Sequence, residues 1–454
     1  MKKNLKVTFI RPSMTEHKAT DALEPLAIAM LASYSPKDVE HKFYDNRIED
    51  IPYDEQTDLV AITVETYTAR RAYQIAQKFR LRGVPVVMGG YHVTFLPDEA
   101  LNFADAIVMG DAEETWPQLI EDFKNNKLQK IYKATNSKPL THIKPDRSIF
   151  KGKKYGPIHM VQYGRGCRFN CDFCSIKTFY KNYLDQRPVD DVIAEISALK
   201  HKQLFIVDDN IYSYKEQAIE FFKALIPLKI RWSGQVSIDV TKDPELMRLM
   251  RDSGCISVVV GFESLDIKSL NQMRKGWNLK DGGYDRAIKV FRDHGIMIYG
   301  TFVHGYDNDT LDTFKHNLEF AIESKFFLAN FNPLTPTPGA QLYNRLKSEG
   351  RLINDPWWLD PGYRYGHAHF HPKNYTAEQL TENCYWARTE FNKYTNILKR
   401  ANDFQSNFSS IYHAGTYLAA NLITRYEIRK KHGSLLSHSN DPLHTDHISL
   451  GQFS

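Results

Sequence analysis

The chain has 454 residues, which is enough for two or three domains with cores of their own. Its 59 basic and 54 acidic side chains leave a formal net charge of +5, so the composition gives no strongly basic footprint and we expect no nucleic-acid partner. The longest apolar run, residues 26–32, is too short to cross a membrane, and the five cysteines argue against a disulfide framework and for the reducing cytoplasm.

The first 125 residues alternate short apolar strands with helix-compatible segments. We predict helices at 25–34 and 69–82, and strands at 5–12, 41–44, 58–64, 85–88 and 106–109. This alternation is typical of a doubly wound, Rossmann-like α/β domain, in which ligands bind beyond the carboxyl ends of the parallel strands. A polar, basic stretch with several prolines follows, so we assign residues 126–155 to a linker.

Residues 156–335 repeat a strand and helix pattern six times. The predicted strands lie at 158–162, 204–207, 230–236, 256–262, 297–303 and 328–332. Six units favour a partial (β/α)6 barrel over a closed eightfold one, with the chemistry at the carboxyl ends of the strands. Residues 336–454 are predicted to form a mainly helical C-terminal cap, with helices at 376–399 and 411–431.

Two features of the C-terminal region leave alternatives open. His367, His369 and His371 alternate, which would place them on one face of a strand. Three such histidines could bind a metal, but a packed or solvated edge strand is the favoured interpretation. The second helix has a basic last turn and apolar residues at 411, 414, 418, 422 and 426, which suits either peripheral contact with a membrane or packing on its own domain.

The strongest chemical signal is the sequence Gly-Arg-Gly-Cys-Arg-Phe-Asn-Cys-Asp-Phe-Cys at residues 164–174. The thiolates of Cys167, Cys171 and Cys174 could wrap one face of an iron–sulfur cube, while the two glycines let the backbone turn beneath it. Three ligands leave one iron open to a substrate. Zinc is the alternative, but zinc requires a fourth ligand at comparable spacing, and the two remaining cysteines lie far downstream.

The spacing Cys-x3-Cys-x2-Cys, with an aromatic residue before the last cysteine, resembles the signature of radical S-adenosylmethionine (SAM) enzymes. In that family the cysteines hold a 4Fe–4S cluster, the open iron chelates SAM, and the aromatic side chain, here Phe173, lies near the adenine. The resemblance also implies SAM contacts at polar residues that follow the strands, namely Asp208, Asp209, Asn210, Gln235, Ser237, Glu263 and Ser264. The Asp and Asn residues could instead cap the next helix, and Glu263 could lock the barrel.

Two glycine-bearing strand ends in the first domain resemble the cobalamin-binding domain that precedes many radical SAM catalytic domains. Residues 89–94 and 110–113 match its Gly-Gly-x-His-x-Thr and Gly-(Glu/Asp)-x-Glu signatures, although either glycine alone could be a tight turn. The resemblance implies cobalamin contacts at Gly89, Gly90, His92, Gly110, Asp111 and Glu113. The Asp-x-His-x-x-Gly motif for an axial histidine is absent, so we expect cobalamin without a histidine ligand, its lower face toward Val64, Glu65, Thr66 and Tyr67.

Together these resemblances imply a cobalamin-dependent radical SAM enzyme with a 4Fe–4S cluster, SAM and cobalamin as cofactors. In such an enzyme a 5′-deoxyadenosyl radical removes hydrogen from an unactivated carbon, and methylcobalamin then methylates that carbon. The expected partners are a small-molecule or lipid-like substrate and an electron donor such as flavodoxin or ferredoxin. Two alternatives remain open, a cyclase or rearrangement enzyme that uses cobalamin without methyl transfer and a non-catalytic cobalamin- or metal-binding sensor.

Overall fold

The computed structural model describes residues 4–135, 144–181, 183–438 and 441–443. Its N-terminal part is a parallel sheet in the order β2-β1-β3-β4-β5-β6. The strands are β1 Leu5–Arg11, β2 Val39–Asp45, β3 Leu59–Thr63, β4 Val86–Gly89, β5 Ala106–Met109 and β6 Ile131–Lys133. The helices are α1 Leu26–Tyr34, α2 Ala69–Leu81, α3 Tyr91–Phe95, α4 Pro97–Leu101 and α5 Thr115–Lys124.

Helices cover both faces of this sheet because the strands are apolar on both sides. In β1, for example, Phe9 joins the core beneath α1 and α5, while Ile10 joins the core beneath α2. The direction in which strands are added to the sheet reverses at β1, since β2 lies on one side of it and β3 on the other. The predicted doubly wound fold is confirmed, and its ligand crevice is expected beyond the carboxyl ends of these strands.

The first sheet continues beyond residue 125. Strand β6, which lies in the segment predicted as a linker, pairs in parallel with β5 and forms an edge of the sheet. Phe150, near the end of that segment, packs edge-on against Phe43 with ring centroids 5.9 Å apart. Residues 136–143 of the predicted linker lie outside the described residues.

The second part contains a six-stranded parallel sheet and a short two-stranded antiparallel sheet. In chain order its strands are β7 His159–Val161, β8 Gly164–Arg165, β9 Asp185–Gln186, β10 Gln203–Ile206, β11 Arg231–Gln235, β12 Cys255–Glu263, β13 Met297–His304 and β14 Leu328–Pro333. Strands β8 and β9 form the two-stranded sheet, and the other six follow the order β7-β10-β11-β12-β13-β14. Since β7 and β14 are the two edges, the predicted partial barrel of six strands is confirmed.

Helices on the outside of the barrel fix which side chains face its interior. They are α6 Ile176–Tyr180, α7 Val189–Ala198, α8 Lys215–Leu225, α9 Pro244–Asp252, α10 Ile267–Gln272, α11 Gly283–Asp293 and α12 Leu311–Glu323. In β13, Ile298 and Phe302 are buried in the core that these helices cover, whereas the alternating Tyr299 and Thr301 are half-buried. The alternating residues therefore line the interior of the barrel.

The C-terminal region packs against both sheets. Its helices are α13 Gln341–Ser348, α14 Ala377–Phe391, α15 Tyr394–Ala401 and α16 Ile411–Lys431. Trp357 and Trp358 join the core of the first domain, while Phe391 of α14 packs against Phe331 of β14. None of the helices that the structure describes is both long enough and apolar enough to cross a membrane.

Two predictions for this region are wrong. The helix predicted at 376–399 is two helices, because α14 ends at Asn392, whose side chain donates to the Arg388 carbonyl at 2.9 Å, and the extended Lys393 starts α15. The segment that holds His367, His369 and His371 is not a regular strand, since it follows a turn at Gly366, bends at His369 and forms only an isolated antiparallel bridge between Phe370 and Leu352.

Candidate active site

The three cysteines lie on a loop that runs from β8 to α6, at the carboxyl end of β7. All three side chains are half-buried. Gly166 begins the loop with a φ of +84°, and a Cβ there would lie 2.5 Å from the carbonyl oxygen of Tyr183. Only glycine fits this turn, so the structure explains why a glycine directly precedes Cys167.

Two carboxylates after β10 hold the backbone that leads into this loop. Asp208 accepts from the backbone N–H groups of Tyr163 at 2.8 Å and Gly164 at 2.6 Å, and Asp209 accepts from that of Gly166 at 2.8 Å. Burial raises the pKa of Asp208 to about 8, while the two backbone donors oppose that shift. Both carboxylates thus position the cysteine loop, and their contact with the SAM amino group stays a prediction.

A third anchor comes from the cobalamin-type domain. The buried guanidinium of Arg165 pairs with Asp111 and Glu113, each at 2.5 Å. Burial raises the pKa of Asp111 to about 6 although Arg165 opposes the shift. Asp111 and Glu113 were predicted to contact cobalamin, and their pairing with Arg165 was not predicted, because no local pattern connects residues that lie this far apart in the chain.

The thiols have the chemistry of cluster ligands. Burial raises the pKa of Cys171 to about 11 and of Cys174 to about 12, and it raises the pKa of Cys167 as well. Iron must therefore displace a proton from each thiol when it binds. Within the described residues, no three His, Cys, Asp or Glu side chains converge on a single metal ion. A cube accommodates such thiols because each one binds a different iron.

Polar residues at the next strand ends form two groups beside the cysteines. Asn210 accepts from the backbone N–H of Ser237 at 3.1 Å and donates to its hydroxyl at 3.2 Å, and Asn210 also hydrogen-bonds the thiol of Cys167. Gln235 reaches the Asp208 carbonyl at 3.5 Å. The structure therefore brings together the predicted SAM residues of β10 and β11.

The second group centres on Glu263, at the end of β12. It pairs with the buried Lys275 at 2.7 Å, and the ammonium group acts electrostatically on Cys171. A Cβ at Gly261 would lie 2.1 Å from the Glu263 carboxylate, so this position leaves no room for a side chain. Lys275 was not predicted as a site residue, because a lysine in the loop after Glu263 matches no motif. It places a positive charge beside the predicted cluster.

The remaining two predicted SAM residues lie at the edges of this site. The hydroxyl of Ser264 is buried and accepts from the Asp266 backbone at 3.1 Å, so it stabilises the turn after β12. Phe173 is half-buried and packs against the barrel core. Its predicted position near the adenine stays a prediction.

A cavity of about 350 Å³ lies where the ends of β3, β4 and β5 face the cysteine loop. It is lined by seven of the ten predicted cobalamin residues, namely Val64, Glu65, Gly89, Gly90, Gly110, Asp111 and Glu113. Its other walls include α1 side chains and, from the barrel, Gln162, Arg165, Phe179, Tyr180 and Val207. The walls are mainly apolar, and the charged Arg165 anchor lies among them, which suits a large ring system with polar substituents.

Three predicted cobalamin residues do not line this cavity. The buried His92 interacts through Nε2 with Glu99 at 3.0 Å and through Nδ1 with the Thr66 hydroxyl at 3.4 Å. Tyr67 lies toward the barrel instead, where its hydroxyl bonds Thr335 at 2.9 Å. His92 thus positions the turn after β3. The predicted lower-face role of Val64, Glu65, Thr66 and Tyr67 stays a prediction.

Three half-buried tyrosines from three parts of the chain meet at the barrel interior. Tyr67 follows β3, Tyr299 is in β13, and Tyr365 belongs to the C-terminal region. Tyr365 lies close enough to act on the pKa of both other hydroxyls, and its ring centroid is 6.3 Å from that of Tyr67. Burial raises the pKa of Tyr67 and of Tyr299 to about 12, so both remain hydrogen-bond donors at neutral pH.

Comparison with known proteins agrees with both halves of this site. Residues 161–321 match the radical SAM superfamily, and residues 17–120 match the B12 binding domain. Bacteriochlorophyllide d C-12(1)-methyltransferase of Chlorobaculum tepidum is 31% identical over 389 residues, which cover 83% of this chain and 84% of that protein. Anaerobic magnesium-protoporphyrin IX monomethyl ester cyclase of Rubrivivax gelatinosus is 28% identical over 393 residues, or 75% and 70% of the two chains.

A solved structure shares the overall fold. The cobalamin-dependent S-adenosylmethionine radical enzyme OxsB with aqua-cobalamin bound aligns with a TM-score of 0.63 and 15% identity. The alignment covers 94% of this chain and 72% of that one. The likeness therefore extends over both sheets and most of the C-terminal region.

Arg165→Met should destabilise the fold by about 3 kcal/mol, because it removes a buried guanidinium and leaves the half-buried Asp111 and Glu113 without a cation. The pKa of Asp111, already raised to about 6, would rise further. Between the pKa of Asp111 in the unfolded chain and its higher pKa in the folded protein, only the folded protein keeps this carboxyl protonated. The free energy of unfolding therefore falls as the pH rises through this range. Urea unfolding at about pH 5 and about pH 8 should show the larger loss at the higher pH.

The matched control is Arg168→Met, which removes an exposed arginine of the same loop that pairs with Asp239. It should cost less than about 1 kcal/mol. Equal losses in the two variants, or a loss in Arg165→Met that does not depend on pH, would show that Arg165 is not a buried anchor.

Proposed function

The chain belongs to the cobalamin-binding radical SAM enzymes, whose cofactors are a 4Fe–4S cluster, SAM and cobalamin, and on that premise we propose that it methylates an unactivated carbon of a small molecule. The observation that carries the proposal is the shared boundary of the two sites. Arg165 lies two residues before the first cluster cysteine and is also part of the cavity wall. A substrate between the two sites could meet both cofactors.

When bound, the cluster would supply the electron that cleaves SAM, and cobalamin would supply the methyl group. The chain's own residues hold and shield these groups. The thiols of Cys167, Cys171 and Cys174 would ligate iron, and Asn210 and Glu263 offer polar contacts for SAM at the adjacent strand ends. The buried Lys275 would offset the negative charge of the thiolates. These roles extend the resemblance to named side chains.

The substrate is proposed to lie in the barrel interior against Tyr67, Tyr299 and Tyr365. Three rings from three parts of the chain give an apolar wall with hydroxyl groups at its edge, which suits a molecule with a flat or extended apolar body. The amide of Asn330 donates to the Tyr299 hydroxyl at 2.5 Å and fixes its orientation. A tetrapyrrole such as bacteriochlorophyllide d, named for the relative in C. tepidum, is the first acceptor to test.

Ring formation without methyl transfer is the second candidate function. It is favoured by the similarity to the magnesium-protoporphyrin IX monomethyl ester cyclase, which covers 75% of the chain. Both functions use the same cofactors, so cofactor content cannot separate them. The fate of the SAM methyl group can.

Methyl transfer is tested with protein loaded with cluster and cobalamin, a reductant, and SAM that carries a deuterated methyl group. We expect the label on protein-bound cobalamin and, with an accepted substrate, on the product, as measured by mass spectrometry. Cys171→Ala should abolish SAM cleavage and leave cobalamin binding largely intact, because the cavity does not contain this residue. If wild-type protein forms 5′-deoxyadenosine while cobalamin and product stay unlabelled, methyl transfer is refuted and the cyclase is favoured.

Tyr365→Ala should raise KM for the accepted substrate about tenfold, since it removes one ring of the proposed wall, worth roughly 1.5 kcal/mol of contact. SAM cleavage without substrate should stay unchanged, because the cysteines and Glu263 are untouched. The control is Tyr53→Ala, which removes a half-buried ring that packs against Phe79 of the first domain. An unchanged KM in Tyr365→Ala would place the substrate elsewhere.

A further inference from the structure

Helix α16 packs one side against the fold and carries a row of exposed apolar side chains on another side. On the covered side, the buried Tyr417 donates to the Ile397 carbonyl at 2.7 Å and Asn421 donates to the Phe327 carbonyl at 3.1 Å. The other side carries Ile411, Leu418, Leu422 and Tyr426, whose side chains are exposed. Exposed apolar side chains that form a row along one side of a helix indicate an interaction site, so this outer side is expected to have a partner.

The outer side forms a continuous surface with α15. Ile411, Leu418, Leu422 and Tyr426 follow helical spacing over a length of about 22 Å. On α15, Tyr394 and Leu398 are exposed one turn apart and share a face, and Arg425 of α16 lies over the Tyr394 ring at 4.3 Å. We call these six apolar residues the C-terminal apolar surface. Ile411 is 94% exposed and Leu398 68% exposed.

Charge selects among the possible partners of this surface. Residues 411–424 carry no Lys, Arg, Asp or Glu, and basic residues follow at the end of the helix, with Arg429 exposed. Lys399 adds exposed positive charge on α15. The three acidic residues of 386–431 are all engaged, since Glu390 pairs with Lys393, Asp403 with Arg292 and Glu427 with Lys431.

We propose that the C-terminal apolar surface binds peripherally to a membrane that contains anionic lipids. The apolar stripe would enter the interface between headgroups and acyl chains, with α16 parallel to the membrane plane, while Arg425, Arg429 and Lys399 contact lipid phosphates. A second copy of the chain fits less well, because its basic residues would find no uncommitted acid on the opposing surface. The inference goes beyond the proposed reaction, and either can fail without the other.

The test is flotation of the full-length, cofactor-loaded protein with two kinds of vesicle, phosphatidylcholine alone and phosphatidylcholine mixed with phosphatidylglycerol. Wild-type protein should float with the anionic vesicles and lose binding as salt rises. The double substitution Leu418→Gln with Leu422→Gln should lower the partition coefficient at least about tenfold. Arg425→Gln with Arg429→Gln should lower binding to the anionic vesicles only.

The matched control is Leu81→Gln on α2, where an equally apolar side chain is 83% exposed outside this surface. It should leave flotation unchanged. All substituted positions are outward-facing or partly exposed, and circular dichroism will confirm that each variant is folded. The proposal is overturned if wild-type protein floats with neither vesicle. It is also overturned if the Leu418 and Leu422 substitutions leave flotation unchanged, or if they abolish a wild-type dimer, which would identify a second copy as the partner.

Discussion

The cysteine loop is held from three directions by contacts within the protein, and the rest of the site depends on that restraint. Asp208 fixes the backbone at Tyr163 and Gly164, Asp209 fixes it at Gly166, and Arg165 between them extends to the acids of the first domain. An open iron is useful only if its three thiolate ligands keep their positions while the fourth site exchanges. Hydrogen bonds to the loop backbone keep these ligands in position and do not involve the thiol groups.

This restraint also sets the relation between the two cofactor sites. The pair of acids that receives Arg165 lies on the loop after β5, which lines the cavity, so the cluster loop and the cavity share one buried ion network. A buried network of this kind fixes the position of the loop more than it increases the stability of the fold, since the desolvation of its charged groups offsets much of their mutual attraction. The C-terminal region adds to the same arrangement, because Trp358 donates to Glu99, which also holds His92 beside the turn after β3.

The sequence was sufficient for features that depend on local pattern. Alternating apolar runs predicted both parallel sheets and the six barrel strands, and the cysteine spacing located the site. Arg165, Lys275 and the role of His92 were beyond its reach, because their partners are set by tertiary packing. The same limit explains the missed edge strand β6, whose three residues become a strand only by pairing with β5. The alternation of His367, His369 and His371 was misleading, because a period of two does not make a regular strand where the backbone bends and only Phe370 forms a bridge, with Leu352.

The central claim, that protein contacts alone form the cysteine loop, is tested most directly by amide hydrogen exchange on protein purified without iron. The N–H groups of Tyr163, Gly164 and Gly166, each bonded to an aspartate, should exchange slowly in the cluster-free state, and Asp208→Ala should release the first two. Fast exchange at all three positions that becomes slow only after the cluster is installed would contradict the claim, since the cluster would then build its own loop.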